Sequence, residues 1–391
     1  MKASFMVSTT YLDSAAHNYG GGWPVPPRLF DTSVGQRTYD SFLEWAALAD
    51  ELGFDWVSVS EHHYAPLIIT PSTAVIAGAL TQVVRRARIA LLGPLAPVNN
   101  PVRTAEEIAM LDHLSHGRLI VLPLRGTINE FSCYAPIDPA QTKSITQEAT
   151  RLILKALSES EPFSWEGEHF QFRCVSVWPR PLQQPFPPIY YSGNSSDSAL
   201  FAAANHLGVC FSFFPPQYVA ATLAAYRAAA ARAGWEPTPA HLLYRGFIVV
   251  ADTEAEAAEL AANFVPPTMV ASIEANKRHQ LAGSQTALTE DWARGSSTQP
   301  DQGPVGFGLG RLLFAGTPDT IVERIRTFHE TTGVGVMDFI FTAGNTPPEA
   351  IRRGIELFGR EVLPRIRRIG EPTEVNGTAV QVDRSTTGIA R

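Results

Sequence analysis

Eight short runs rich in β-branched and aromatic residues recur along the chain, and longer segments of helical period separate them. They are "KASFMVST" (2–9), "WVSVSE" (56–61), "IALLGPLA" (89–96), "LIVLPLRG" (119–126), "PIYYSG" (188–193), "GVCFSFF" (208–214), "LLYRGFIVV" (242–250) and "VMDFIFTAG" (336–344). Runs of this kind alternating with helices call for parallel strands joined by crossovers. Eight βα units over 391 residues predict the α/β class and a (β/α)8 TIM barrel, whose site is built where the strands end.

The intervening segments carry helix start and stop signals. "TYDSFLEWAALADELG" puts Tyr39, Phe42, Leu43, Ala46 and Ala49 on one stripe and stops at Gly53. "NPVRTAEEIAMLDHLSHG" has Pro101 near its start and Gly117 past its end. "GTPDTIVERIRTFHETTG" offers Thr317 as N-cap, Pro318 at the first helical position and Gly333 as the stop. One stretch breaks the alternation: residues 265–311 follow the seventh strand and read as an insertion on the catalytic face, a lid or a linker. Residues 1–369 are expected to form a single barrel domain. The tail 370–391 is polar and without period, and is expected to be disordered.

Composition narrows the function. A net charge of −7 argues against a nucleic-acid partner, which asks for a basic stripe. Cys133, Cys174 and Cys210 are too few and scattered for a disulfide framework or a closely spaced zinc site, so a reducing, cytoplasmic setting is expected. No apolar run approaches the roughly 20 residues needed to cross a bilayer, and the first residues lack the apolar stretch of a signal peptide.

Candidate chemistry starts at "VSVSEHHYAP" (57–66), where an apolar run breaks into Glu61, His62 and His63 at the end of the second strand. A histidine at a barrel mouth can act as a general acid or base near neutral pH, or bind a metal. The plainer alternative is that one of the pair caps the loop and the other is a satisfied surface residue. Partners for a metal are not apparent: no HxH or HExxH occurs, and His113, His116, His206 and His329 fall on segments expected to be helical. No metal is therefore expected.

Two turns suit an anion. "LRGTIN" (124–129) ends the fourth strand with Arg125, a glycine and Thr127. "SGNSSDSALFAA" (192–203) ends the fifth with Ser192, Gly193, Asn194 and serines directly before an alanine-rich helix, where amides and hydroxyls can face an anion. An ordinary N-cap explains the second turn equally well. Together, on neighbouring strands, they suggest one phosphate held between Arg125 and the helix at Ser195. "GFGLG" (306–310) lacks the GxGxxG spacing of a dinucleotide fold, and neither GxxxxGK[ST] nor GxSxG occurs.

The stretches "ADELGFDWVSVSEHHY", "NPVRTAEEIAMLDHLSHGRLIVLPLRGTINEF" and "IYYSGNSSDSALFAAANHLGV" resemble the bacterial luciferase-like, flavin-dependent monooxygenase family. The likeness runs over residues 1–260 and resumes at "FAGTPDTIVERI". It implies a barrel that binds reduced flavin, FMN first and FAD or coenzyme F420 as alternatives, and reacts it with oxygen through a C4a-peroxyflavin. It implies His62 as the catalytic histidine, with Glu61 or a backbone group to position it. It also implies Arg125 and Thr127 on the flavin phosphate, further phosphate contacts from Asn194, Ser195 and Ser198, and Asn99 beside the ring. Two positions depart from the family pattern: Asn100 stands where relatives often have histidine, and Leu124 where some have cysteine.

The expected reaction is oxygenation of a small apolar organic substrate. Residues 265–311 and the "GGGWPVPP" loop, with Trp23, Phe307 and Leu309, are the candidates for excluding water. With no nicotinamide fingerprint in view, a separate NAD(P)H flavin reductase is the expected source of reduced flavin. A homodimer packed through the second and third barrel helices is expected, as in many relatives. The alternatives are an F420-dependent oxidoreductase of the same superfamily, a non-catalytic flavin-binding barrel and a metal-dependent barrel hydrolase.

Overall fold

The computed structural model describes residues 1–19, 24–126, 130, 137–138, 140–262, 264, 313–342 and 346–370. The segment 265–311, Trp23, Phe307, Leu309, Thr127 and residues 371–391 lie outside the described residues.

Eight parallel strands form the barrel: β1 (Lys2–Met6), β2 (Trp56–Val59), β3 (Arg88–Leu95), β4 (Leu119–Leu124), β7 (Tyr190–Ser192), β8 (Gly208–Ser212), β9 (Leu242–Val250) and β11 (Val336–Ile340). They run in the order β4-β3-β2-β1-β11-β9-β8-β7, and a parallel bridge from Val121 to Ile189 joins β4 to β7 and closes the ring. Each of the eight expected runs supplies one of these strands. Three strands were not expected. β5 (Phe163–Glu166) and β6 (Gln171–Val175) make an antiparallel hairpin, and β10 (Leu313–Gly316) pairs with Phe247–Val250 at the far end of β9.

Among the described residues the α-helices, in order, are α1 (Ser14–His17), α2 (Thr32–Leu52), α3 (Thr73–Val83), α4 (Pro101–Leu114), α5 (Thr142–Ser158), α6 (Ser196–Ala204), α7 (Pro216–Arg232), α8 (Glu254–Ala262), α9 (Pro318–Thr332), α10 (Pro348–Leu357) and α11 (Leu363–Ile366). The expected stops hold: Gly53, Gly117 and Gly333 have φ of 87°, 74° and 72°. At the start of α9, however, Thr317 does not cap with its side chain. Its hydroxyl instead meets Glu254 Oε1 at 2.7 Å, together with its own N–H and the hydroxyl of Thr320. His116 and His206 sit just past α4 and α6 at φ of 55° and 57°, in turns rather than on helices.

Alternation along each strand sends one set of side chains outward and the other into the lumen. Ala3, Phe5, Val57, Val59, Ile89 and Leu91 pack outward on Phe42, Ala46, Ala77, Leu80 and Ile108 of the helices. Inside, Trp56, Ala90, Ile120, Tyr190, Leu243 and Val336 belong to one apolar cluster, and Met6, Phe247 and Ile340 to another nearer the strand ends. A polar row crosses the lumen in register, Ser4 beside Asp338 beside Arg245. Arg245 Nε lies 2.8 Å from Asp338 Oδ2, Ser58 donates to Oδ1 at 2.6 Å, and both charged side chains are buried. Asp50 ties helix to strand elsewhere, accepting the N–H groups of Arg85, Arg86 and Ala87.

Candidate active site

Beyond β2 the chain leaves the sheet but stays anchored. His62 N–H donates to Thr70 O at 3.0 Å, and Val25 N–H donates to the carbonyl of Tyr64, whose φ is 59°. From this segment the side chains of His62 and His63 diverge to different partners. His62 Nδ1 lies 3.0 Å from Glu130 Oε1; its imidazole is 41% exposed and the carboxylate 5%. His63 is buried, with Nε2 at 3.3 Å from Glu61 Oε1.

Of the two positioning groups the sequence offered for His62, Glu61 or the backbone, neither holds the ring: its Nδ1 meets Glu130. Glu61 turns to His63 instead, and its Oε2 accepts from Leu95 N–H at 3.3 Å and Oε1 from Asn99 Nδ2 at 3.4 Å. Its contacts brace the end of β2 against the turn after β3. Asn99 belongs to that brace and also donates to Leu95 O at 2.9 Å. Gly93, at φ 125°, makes the close approach possible: a Cβ there would sit 3.0 Å from a Leu124 methyl and 3.7 Å from the amide nitrogen of Glu61. Asn100 caps α4, accepting from Val102 N–H and Arg103 N–H at 2.9 and 3.2 Å.

Across the β4–β7 junction lie the two anion turns. Arg125 follows β4 half-buried, and among the described residues it makes no hydrogen bond or ion pair. Burial pushes its pKa down from the ordinary arginine value, and the Tyr191 hydroxyl group works in the opposite direction. A desolvated guanidinium without a protein partner is a site that an anion would satisfy. Beside it, Ser192 Oγ accepts from Asn194 N–H at 3.3 Å. Gly193 donates to Cys210 O at 2.7 Å, and a Cβ on it would meet the Phe211 ring at 2.7 Å. Asn194 links this turn to the next strand: Oδ1 accepts from Ser212 N–H at 3.0 Å, and its carbonyl accepts from the Tyr218 hydroxyl at 3.1 Å.

Ser195 is the N-cap of α6. Its Oγ accepts from Ser198 N–H at 3.3 Å and donates to Ser198 Oγ at 2.9 Å. The cap and the anion-facing helix terminus thus coincide in one turn. Lys143, which no motif singled out, pairs with Asp197 in the first turn of α6.

The opposite side of the mouth is apolar. Phe213 stacks on Phe247 at 4.6 Å between centroids, Phe264 meets Phe247 edge-on at 5.3 Å, and Leu67, Ile68, Ile340 and Leu313 join the same cluster. Hydroxyls of Ser8, Thr10 and Thr342 link at 2.9 and 3.0 Å where β1 and β11 end. The mouth therefore has a cationic, amide-rich side at β4 and β7 and an aromatic side around β9, β11 and β1, with His62 on the rim.

The family model described as "Luciferase-like monooxygenase" matches residues 21–334. Two curated relatives are matched over about half their length, 52% and 51%, and over 46% of this chain. One is the protein y4wF of Sinorhizobium fredii, 34% identical over 179 residues. The other is the oxygenase component of flavin-dependent trigonelline monooxygenase from Acinetobacter baylyi, 29% identical over 184 residues. Among solved structures, monooxygenase RslO1 of Streptomyces bottropensis superposes with a TM-score of 0.72 at 25% identity, covering 93% of this chain and 99% of that one. An F420-dependent secondary alcohol dehydrogenase in complex with an F420-acetone adduct shares the fold at a TM-score of 0.67 and 16% identity, covering 94% and 99%. With the family model spanning most of its length, this chain belongs to the luciferase-like monooxygenase family.

Proposed function

We propose that the protein is the oxygenase component of a two-component flavin-dependent monooxygenase that takes reduced FMN and O2 and oxygenates a small apolar organic molecule. One observation carries this reading: the guanidinium of Arg125, which has no hydrogen-bond or ion-pair partner among the described residues, sits on the same barrel mouth as His62, with aromatic side chains across from it. The residues present fit a phosphate-bearing cofactor. Arg125, the amides at the start of α6 and the hydroxyls of Ser192, Ser195 and Ser198 would hold its phosphate, with Asn194 in the same set; Thr127 lies outside the described residues. Asn99, fixed by Glu61 and Leu95, would lie beside the ring.

Reduced flavin, when bound, supplies the electrons that activate oxygen and the means of passing one oxygen atom to the substrate. The protein's own groups orient and protect. His62, open to the mouth at Nε2, moves a proton to or from the reacting atoms. The Phe213, Phe247 and Phe264 wall keeps water out and gives an apolar substrate its contact surface.

A separate NAD(P)H flavin reductase supplies the reduced cofactor in this reading. The relative named as an oxygenase component supports it. Among the described residues no helix is long and apolar enough to cross a membrane. Exposed Val75 on α3 and Met110 and Leu114 on α4 support a homodimer packed through these two helices.

A second reading, an F420-dependent oxidoreductase, is favoured by the fold shared with the alcohol dehydrogenase. Titration with FMN and with F420, followed by oxygen uptake from the reduced complex, separates the two. Tight FMN binding with oxygen consumption supports the oxygenase. Binding of F420 alone, with no oxygen uptake, replaces it.

A further inference from the structure

We propose that Glu130 is a positioning residue that fixes His62 in the Nδ1–H tautomer, so that the nitrogen offered to the barrel mouth, Nε2, is an acceptor. Its bearing on catalysis rests on the oxygenase reading above; the tautomer itself does not. Glu130 Oε1 lies 3.0 Å from His62 Nδ1, and the carboxylate is 95% shielded from solvent while the imidazole remains 41% exposed. An ionised carboxylate only accepts hydrogen bonds, so the shared hydrogen sits on Nδ1. A neutral imidazole carries one N–H, and Nε2 is left with a lone pair. Among the described residues Nε2 has no partner.

The neighbouring pair sharpens the point. His63 presents Nε2, not Nδ1, to its own glutamate, and both members of that pair are buried. Two adjacent histidines thus meet two carboxylates through opposite ring nitrogens, and of the two imidazoles the one held by Glu130 is the solvent-exposed one. The main-chain bond from His62 N–H to Thr70 O fixes the backbone on which the ring turns, so Glu130 sets the remaining freedom, the ring orientation. A carboxylate holding the far nitrogen of an imidazole is a recurring device for setting tautomer and orientation.

The test is a 1H–15N long-range correlation spectrum of the apoprotein labelled with 15N-histidine, at alkaline pH where the imidazoles are neutral, with His62 assigned by its loss in His62→Gln. The expected spectrum has a protonated Nδ1 and an unprotonated Nε2 for His62. Glu130→Ala shifts the population toward Nε2–H, and Glu130→Gln, whose amide oxygen still accepts, retains the wild-type form. In turnover, Glu130→Ala lowers kcat by less than the roughly 100-fold that loss of a general acid–base costs, and leaves the flavin Kd unchanged. A wild-type spectrum with Nε2–H, or one that Glu130→Ala leaves untouched, overturns the proposal. Should Glu130→Ala fail to fold, the wild-type tautomer alone decides. Because the spectrum needs no cofactor, failure of the oxygenase reading would appear separately, as absent oxygen uptake beside an intact tautomer.

Discussion

Replacing Arg125 with methionine separates a phosphate receptor from a structural arginine. In a structural role the guanidinium would hold carbonyls or carboxylates, as Arg118 holds Ala87 O and Val84 O at 2.7 and 3.0 Å. Arg125 has no such bonds among the described residues and bears the desolvation that pushes its pKa down. Methionine of similar length therefore removes no hydrogen bond or ion pair to the described residues, and the melting temperature should stay level or rise. Binding should respond in the opposite direction. A hydrogen bond to a charged group is worth about 1.5–3 kcal/mol, which converts to about 10- to 150-fold in Kd. The comparison that isolates the phosphate is FMN against riboflavin, titrated by quenching of flavin fluorescence. Arg125→Met should weaken FMN by that factor and leave riboflavin within about twofold. Equal weakening of both ligands, or a lowered melting temperature with FMN affinity intact, would refute the reasoning.

Other consequences are open to direct measurement. Asp338→Asn leaves the buried Arg245 guanidinium without its counter-charge and should cost about 3–5 kcal/mol in chemical denaturation, while Arg245→Met with Asp338→Leu recovers most of the loss; a single-variant cost under about 1 kcal/mol contradicts this. Burial lowers the pKa of His17, whose Nε2 meets Tyr11 O at 2.6 Å, so the folded state takes its proton at lower pH than the unfolded state does. That contribution is present above the unfolded value near 6.5 and is lost as pH falls from there through the folded pKa, so thermal stability should drop less on acidification in His17→Gln than in the wild type. Met110→Glu combined with Leu114→Glu should convert the proposed homodimer to monomer in sedimentation velocity without changing the melting profile of the barrel, since both side chains are about half exposed, at 52% and 49%. A species that is monomeric before substitution would remove the dimer from the account.

The barrel was legible because its signal is repeated and local. Each strand needs only a short β-branched run, and each helix only a stripe and a stop, so all eight strands could be placed from composition alone. The ends were less legible. Runs such as 56–61 and 208–214 overshoot β2 and β8, which stop at Val59 and Ser212. Residues beyond the last ladder bond, Glu61 and Phe213 among them, stay packed at the mouth and keep a strand-like composition. The β5–β6 hairpin escaped because its strands are four and five residues long and leave much of their surface exposed, so the alternation of FSWE is too short to stand out.

At the site, single-residue features read well and pairings did not. Arg125, Gly193 and the Ser195 cap follow from turn chemistry that local sequence contains. The partner of His62 does not: Glu130 lies 68 residues away, and only the closed barrel brings it to Nδ1. Adjacency in sequence suggested Glu61 instead, but its carboxylate is taken by His63, Leu95 N–H and Asn99.

The most direct test of the central claim mixes the protein, loaded anaerobically with reduced FMN, against oxygenated buffer in a stopped-flow spectrophotometer. The account predicts oxygen-dependent formation of a transient absorbance distinct from both reduced and oxidised flavin, followed by the return of oxidised FMN, with the transient lost or shortened in His62→Ala. Direct appearance of oxidised FMN at the rate of free flavin, identical in wild type and His62→Ala, would contradict it.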